Sequence, residues 1–91
     1  MLNDQKILIT GSTSGIGKAM AAAMLKAGAR VVINSNEPDT GSAALAELEE
    51  FGECHFIETD LSSVEACQAL VGAAFERLGG LDCLVNNAAA A

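Results

Sequence analysis

A glycine-rich segment that joins two different hydrophobic patterns constrains the fold of this chain more than any other feature. Residues 6–10 (KILIT) form a short apolar run, which is typical of a strand buried on both faces. Residues 10–17 (TGSTSGIG) follow, and apolar residues then recur at spacings of three and four, which predicts a helix over residues 15–27. The chain must therefore turn directly from strand to helix at its glycines. The predicted inward face of this helix comprises Ile16, Ala19, Met20, Ala23, Met24 and Ala27.

Strand and helix patterns alternate along the rest of the chain. Because the connections are long enough for parallel crossovers, the alternation predicts an α/β fold, a doubly wound parallel sheet with three helices. The length of 91 residues favours a single domain over residues 1–91. The three further predicted strands comprise residues 31–33, 54–58 and 82–85.

Two more helices are predicted between these strands. Pro38 suits the first turn of one that runs to about Phe51, and Leu45 and Leu48 share its apolar stripe with Phe51. The other begins at a capping box, with Ser62 as the N-cap and its partner three residues later. The predicted buried residues of this third helix are Val64, Cys67, Val71, Ala74, Phe75 and Leu78.

The acidic composition disfavours several classes of partner. The net charge of −7 and the pI near 4.3 argue against nucleic acids and anionic membranes, because both attract a basic surface.

Residues 1–6 contain Asp4 and no apolar segment of a secretory signal, so a cytoplasmic location is expected. The three cysteines show no CxxC spacing, which indicates buried thiols in a reducing compartment and no metal site.

The glycines at the strand-to-helix junction indicate a site for a phosphate-bearing ligand. Gly11 permits the tight turn, Gly15 allows backbone amides to approach a pyrophosphate, and Gly17 lets the helix lie close to the strand. The unpaired amides of residues 15–17, including that of Ile16, attract an anion together with the helix dipole. The segment therefore predicts a dinucleotide as the ligand.

With this loop, the chain resembles the short-chain dehydrogenase/reductase family, whose nucleotide loop has the form TGxxxGxG. Two further motifs follow in the order of that family. Asp60 and Leu61, after the third strand, are similar to the family's acidic segment beside the adenine ring. Asn86, Asn87 and Ala88 resemble the start of its NNAG motif, which implies that Asn87 and Ala88 line the cofactor.

The resemblance implies a Rossmann-like half-domain with strand order 3-2-1-4 and a role in NAD(P)-dependent oxidoreduction. The family's catalytic Ser and Tyr-x-x-x-Lys pair have no counterpart here, and the chain contains no Tyr. We therefore expect a truncated cofactor-binding portion that binds its dinucleotide weakly and cannot transfer a hydride alone. In that strand order the fourth strand is an open edge, which predicts a homo-oligomer paired through residues 82–85 or the face beside them, or else an aggregation-prone monomer. Ala89 departs from the family's Gly.

The end of the second strand bears on the choice of cofactor. An acidic residue there would bond the ribose of NAD, whereas a basic residue nearby would accept the 2′-phosphate of NADP. Ser35 and Asn36 are neutral, and Ser14 occupies a position where NADP-using relatives often carry a basic residue. The missing carboxylate favours NADP slightly over NAD, although Glu37 would reverse this preference if it turned toward the ribose.

Two other functions are compatible with the same residues. The glycine loop is similar to a strand-turn-helix nucleophile elbow, in which Ser12, Thr13 or Ser14 would attack an ester. His55 is the one imidazole available as a base, which makes a small esterase-type hydrolase the first alternative. The second alternative is a nucleotide-binding module without catalysis.

Overall fold

Four short strands alternate with three helices in the computed structural model, which describes residues 1–87. The change from the hydrophobic pattern of a strand to that of a helix occurs at glycines or at polar segments, as the sequence indicates. The elements are β1 (Lys6–Ile9), α1 (Gly15–Lys26), β2 (Arg30–Ser35), α2 (Pro38–Leu48), a 3-10 turn (Glu49–Phe51), β3 (Cys54–Glu58), α3 (Val64–Leu78) and β4 (Cys83–Val85).

The strands form one parallel sheet in the order β3-β2-β1-β4, which confirms the predicted order and fold class. Leu8 of β1 lies opposite Val32 of β2 and Leu84 of β4, and Val32 lies opposite His55 of β3. This order places β1 at the centre of the sheet, so the glycine loop that follows β1 emerges between neighbouring strands.

Each of the two central strands divides its side chains between two cores. Ile7 and Ile9 of β1 are buried in the core beneath α1 and α2, together with Val31 of β2. Leu8 and Val32 point to the opposite face, where they pack in a separate core with α3. Successive residues of a strand face opposite sides, so continuous apolar runs are required where helices cover both sides of the sheet.

Helix α1 matches the predicted inward face only in part. Its buried residues are Gly17, Ala21 and Leu25, whereas Ile16 is 75% exposed and Ala19 is exposed. Small residues line the face nearest the sheet because they let the helix approach closely. Hydropathy alone favours the larger Ile16. The prediction was therefore wrong for Ile16 and Ala19, whereas the predicted Met20 and Met24 are partly buried against the core.

The other two helices also differ from the predicted packing. In α2 the buried face is formed by Gly41, Ala44 and Leu48, and Phe51 is 41% exposed with the Lys26 ammonium 4.5 Å from its ring centroid. In α3 the described structure buries Leu70, Ala74 and Leu78, of which Leu70 was not predicted. The residues of the predicted α3 face that are instead exposed are Val64, Cys67, Val71 and Phe75.

The N-terminus of α3 is capped one residue later than predicted. The Ser63 Oγ accepts a hydrogen bond of 3.1 Å from the amide of Ala66, which makes Ser63 the N-cap in place of Ser62. Gly79 has a φ of +74° and ends the helix in the left-handed region, where glycine avoids the strain of a side chain. Among residues 1–87, no helix combines the length and apolar character that crossing a membrane requires.

Candidate functional site

A cleft of about 390 Å³ lies at the carboxyl ends of β1, β2 and β3. This is the edge at which open parallel sheets commonly bind ligands, because the loops after the strands diverge there. The walls are largely polar and come from the segments at the ends of all four strands. The lining residues are Gly11, Thr13, Ser14, Asn34, Ser35, Asn36, Glu37, Thr59, Asp60, Leu61, Ser62 and Asn87.

The glycine loop adopts backbone conformations that side chains disfavour. Gly11 has a φ of +61° and Gly15 has a φ of +58°, both in the left-handed region. A Cβ on Gly15 would meet no atom within 4 Å, so the backbone at the start of α1 is open to a ligand. Ser14 is the N-cap in extended conformation and makes no side-chain cap bond, and no acidic residue occupies the first turn. The arrangement suits an anion.

Gly17 is required by close packing rather than by its backbone angles. A Cβ at this position would lie 2.5 Å from the Asn87 Nδ2, 2.6 Å from the Gly11 oxygen and 2.9 Å from the Ser12 Cα. These contacts are far shorter than side chains tolerate. The first turn of α1 therefore lies directly against the loop and against Asn87, in agreement with the packing role expected for this glycine.

The segment after β4 braces the glycine loop. The Asn87 Nδ2 donates a 3.0 Å hydrogen bond to the Gly11 carbonyl, and the Asn87 amide donates to the Thr10 Oγ1 at 3.0 Å. Thr10 also bonds the Asn86 Oδ1 at 3.2 Å. Bonds between residues almost 80 positions apart hold the loop's first residues to the opposite end of the chain.

The segment at the end of β2, residues 34–37, closes one end of the cleft. The Ser35 Oγ accepts a 2.8 Å hydrogen bond from the Glu37 amide, which shapes the turn into α2. Asn36 and Glu37 are exposed on the cleft lining. The Glu37 carboxylate therefore lies on the same lining as Ser35 and Asn36, the two neutral residues that bear on the choice between NAD and NADP.

Seven of the predicted site residues line the cleft, namely Gly11, Ser14, Ser35, Asn36, Asp60, Leu61 and Asn87. Gly15 and Ile16 lie exposed at the start of α1, and Gly17 is buried behind Asn87. The predicted contact at Ala88 falls outside the described residues. Sequence reasoning missed Thr59 and Ser62, although their position just after a parallel strand was a usable signal.

The basic residue nearest the glycine loop in sequence is already paired. The Lys18 Nζ lies 2.5 Å from the Glu47 Oε2, across from α1 to α2. Both side chains are partly exposed, so this bridge contributes little to stability. The site's attraction for an anion therefore rests mainly on backbone amides and the α1 dipole.

The residues of the hydrolase alternative are not brought together. The Ser12 Oγ is buried, donates to the Ile9 carbonyl at 2.6 Å and accepts from the Asn34 amide at 3.0 Å. His55 lies on β3, with β2 between it and the strand that carries the loop, and its Nε2 is 2.9 Å from the Glu53 Oε2. A serine or threonine of the loop thus has no nearby imidazole base in this arrangement, and the hydrolase function is not favoured.

Two acidic side chains outside the cleft, a carboxyl and a thiol, have perturbed pKa values. The bidentate Arg30 guanidinium, and then His55, lower the pKa of Glu53 to about 2. Burial, with a smaller effect of Glu49, raises the pKa of the Cys54 thiol to about 12. The prediction of buried thiols is correct for Cys54 and wrong for the exposed Cys67 and Cys83.

A second groove, which is apolar and has a volume of about 170 Å³, lies on the face of the sheet that α3 covers. It is bounded by α3 and by the strands β1 and β4. Leu84, which is 51% exposed, and Val71, which is 37% exposed, form part of its walls. Phe75 on the same helix is 55% exposed. The α3 side of the sheet is therefore less completely covered than the side beneath α1 and α2.

Comparison with known proteins agrees with the geometry of the cleft. The family model for short chain dehydrogenases matches residues 5–91. An uncharacterized oxidoreductase, YvrD of Bacillus subtilis, is 41% identical over 86 residues, which is 94% of this chain and 32% of the relative. A 3beta-hydroxysteroid dehydrogenase of Mediterraneibacter gnavus is 44% identical over 87 residues, or 93% of this chain and 32% of the relative. The chain spans about a third of the length of these relatives.

Solved structures give the same result. An NADH-dependent reductase, A1-R′, complexed with NAD has a TM-score of 0.88 at 42% identity, covering 98% of this chain and 38% of that one. The Pseudomonas aeruginosa RhlG/NADP active-site complex has a TM-score of 0.90 at 37% identity, covering 98% and 36%. With its fold, its glycine loop and its sequence all in agreement, the chain belongs to the short-chain dehydrogenase family.

Proposed function

We propose that this chain forms the dinucleotide-binding portion of an NAD(P)-dependent oxidoreductase. The observation that carries the proposal is the open backbone at Gly15, at the N-terminus of α1 and beside the polar cleft. The pyrophosphate lies over the amides of Gly15, Ile16 and Gly17, whose N–H groups begin the helix.

The adenosine half of the ligand occupies the rest of the cleft. Asp60 and Leu61 lie beside the adenine ring, and Ser35 and Asn36 face the adenosine ribose, with Asn87 near the loop. The motif shared with the family assigns a cofactor contact to Ala88 as well. These assignments follow the motifs shared with the family and the convergence of four segments, one from each strand, on one cleft.

The proposed preference is NADP over NAD, by a small margin. Ser35 and Asn36 bring no carboxylate to the ribose, so a 2′-phosphate meets less repulsion there. Glu37 opposes this preference, because its carboxylate lies on the same lining. Glu37→Gln is expected to increase affinity for NADP more than for NAD, and equal changes for the two would contradict the assignment of this end of the cleft.

A pair of glycine substitutions tests dinucleotide binding itself. Gly15 and Gly79 both have positive φ, and a Cβ on either meets nothing within 4 Å. Asn tolerates this backbone region, so Gly15→Asn and Gly79→Asn carry similar conformational costs. Only Gly15→Asn places a side chain where the phosphates would lie.

Binding is measured by calorimetry or NMR titration with NADP and with NAD. Because the chain spans about a third of its relatives, the expected dissociation constant is roughly 0.1–1 mM. Gly15→Asn should weaken binding about tenfold or more, and Gly79→Asn should leave it unchanged. Equal affinity in both variants, or wild-type shifts confined to regions away from residues 10–17, would refute the proposal.

Hydride transfer is not proposed for the 91-residue chain alone. The family's reaction uses a Tyr, and this chain has none. Purified chain is therefore expected to give no change in absorbance at 340 nm with alcohols or ketones and either cofactor. Steady turnover that co-purifies with a species of the chain's own mass would contradict this expectation.

We also propose that the chain forms a homo-oligomer through the open side of β4. Within residues 1–87, β4 pairs with β1 on one side, and the exposed Leu84 lies beside the apolar groove under α3. Unpaired strand edges recruit further strands. Leu84→Asp should shift light scattering toward a monomer, whereas Phe51→Asp, at an exposed ring outside this groove, should not. A monodisperse wild-type monomer would refute the proposal.

A further inference from the structure

We propose that Asn34 is a positioning residue, which holds the two walls of the cleft at the separation that the dinucleotide requires. The inference rests on the proposed function, since the ligand is the dinucleotide. Asn34 is only 1% exposed, near the end of β2. Asn34 borders the cleft, but it exposes almost no surface to it, so it acts on the ligand through its neighbours.

The side-chain amide of Asn34 joins two loops that approach the cleft from different strands. Its Oδ1 accepts a hydrogen bond from the Gly11 amide at 3.4 Å, at the start of the glycine loop. Its Nδ2 donates to the Ile57 carbonyl at 3.2 Å and to the Thr59 carbonyl at 3.5 Å. Thr59 and Gly11 both line the cleft, so one buried group spans the distance between its walls.

A separate set of bonds fixes the backbone of Asn34. The Ser12 amide donates to the Asn34 carbonyl at 2.9 Å, and the Asn34 amide donates to the Ser12 Oγ at 3.0 Å. The Ser12 Oγ in turn donates to the Ile9 carbonyl. Because these bonds do not involve the Asn34 side chain, a substitution can remove the link between the walls and leave the link from β2 to the loop in place.

The chemistry of this position requires a carboxamide. An acceptor must face the Gly11 amide while a donor faces two carbonyls, and a neutral amide supplies both from one planar group. Leucine has a similar size but supplies neither, and aspartate at neutral pH supplies only the acceptor. If Asn34 only filled space in the core, leucine would replace it without loss of function. If Asn34 links the two walls, leucine should break that link.

The test compares Asn34→Leu and Asn34→Asp with Val32→Ala. Val32 is buried two residues earlier in β2, but it faces the α3 core and is remote from the loop. All three variants of the full chain are measured for thermal stability, for NADP affinity by NMR titration below their melting temperatures, and for hydrogen exchange at the Gly11 amide.

We expect the Asn34 variants to lose affinity for NADP by more than their change in melting temperature accounts for. Asn34→Leu and Asn34→Asp should weaken NADP binding about tenfold, the equivalent of one lost buried bond. Asn34→Leu should also accelerate exchange at the Gly11 amide, whereas Val32→Ala should lower the melting temperature and keep affinity within about twofold.

Affinity that falls in proportion to stability in all three variants would overturn the inference. So would unchanged Gly11 exchange and unchanged affinity in Asn34→Leu. A wild-type chain that binds neither NADP nor NAD would refute the proposed function instead. Gly11 exchange would then still decide whether Asn34 holds the two walls, because that readout needs no ligand.

Discussion

Replacing Gly17 with alanine adds one methyl group at the tightest contact of the cleft. The new Cβ would lie 2.6 Å from the Gly11 oxygen and 2.9 Å from the Ser12 Cα, both backbone atoms that cannot simply rotate away. It would also lie 2.5 Å from the Asn87 Nδ2. The Asn87 side chain can turn aside, but it then loses its hydrogen bond to the Gly11 carbonyl. The methyl group thus forces the loop away from the helix.

The expected change in the free energy of unfolding combines two destabilising effects with one stabilising effect. Overpacking against a fixed backbone costs about 1–3 kcal/mol. Loss of the Asn87 bond costs a further 0.5–1.5 kcal/mol or so. Alanine favours the helix over glycine by about 1 kcal/mol, and this offsets part of the cost. Gly17→Ala should therefore lower the free energy of unfolding by about 1–3 kcal/mol and weaken dinucleotide binding, because the loop moves.

The matched control is the same substitution in α3. Gly72 is a helical glycine, and a Cβ there would meet nothing within 4 Å. Gly72→Ala should stabilise the chain by up to about 1 kcal/mol. Unfolding in urea is followed by far-ultraviolet circular dichroism, since the chain has neither Trp nor Tyr. If Gly17→Ala proved as stable as Gly72→Ala, the close approach of α1 to the glycine loop would be refuted.

Two further predictions concern groups outside the cleft. The pKa of Glu53 is lowered to about 2 from 4.5 by Arg30, so its stabilising effect is complete above about pH 4.5 and disappears as the pH falls through 2. Urea midpoints should consequently fall more steeply over this range in the wild type than in Glu53→Gln, and parallel curves would argue against the ion pair. A thiol reagent at pH 8 should modify the exposed Cys67 and Cys83 rapidly and leave Cys54 unreacted, because burial raises the Cys54 pKa to about 12. Peptide mass mapping tests this order, which early labelling of Cys54 would contradict.

The alternation of strands and helices and the position of the glycine loop could be predicted from the sequence because both depend on local patterns, whereas the strand order 3-2-1-4 followed from the resemblance to the family. A short apolar run, as at residues 6–10, can be recognised without knowing its partners. Parallel crossovers then restrict how the strands connect. The glycines at 11, 15 and 17 mark the loop, and Asp60 was assigned to the same ligand by its resemblance to the family's motif.

The faces of the helices could not be predicted in the same way. In α1, alanine, glycine and methionine occur on several sides, so hydropathy does not distinguish one face from another. The tertiary structure selects the row of Gly17, Ala21 and Leu25, since the small Gly17 and Ala21 allow the helix to approach the sheet and Leu25 packs in the core. In α3 the large residues Val64 and Phe75 are exposed, because the burial of a residue depends on which elements cover it and not on its own hydrophobicity.

Contacts between residues distant in sequence were decided by the tertiary structure alone. Nothing in the local sequence relates Asn34 to Gly11 and Thr59, or Asn87 to the carbonyl of Gly11. Likewise, either Ser62 or Ser63 can cap α3 by residue type, and the N-cap in the structure is Ser63, whose backbone is extended and whose side chain accepts from the Ala66 amide. The sequence thus determined the order of elements through local conformational preferences. The separation of the cleft walls depended on hydrogen bonds that form only when the strands have assembled.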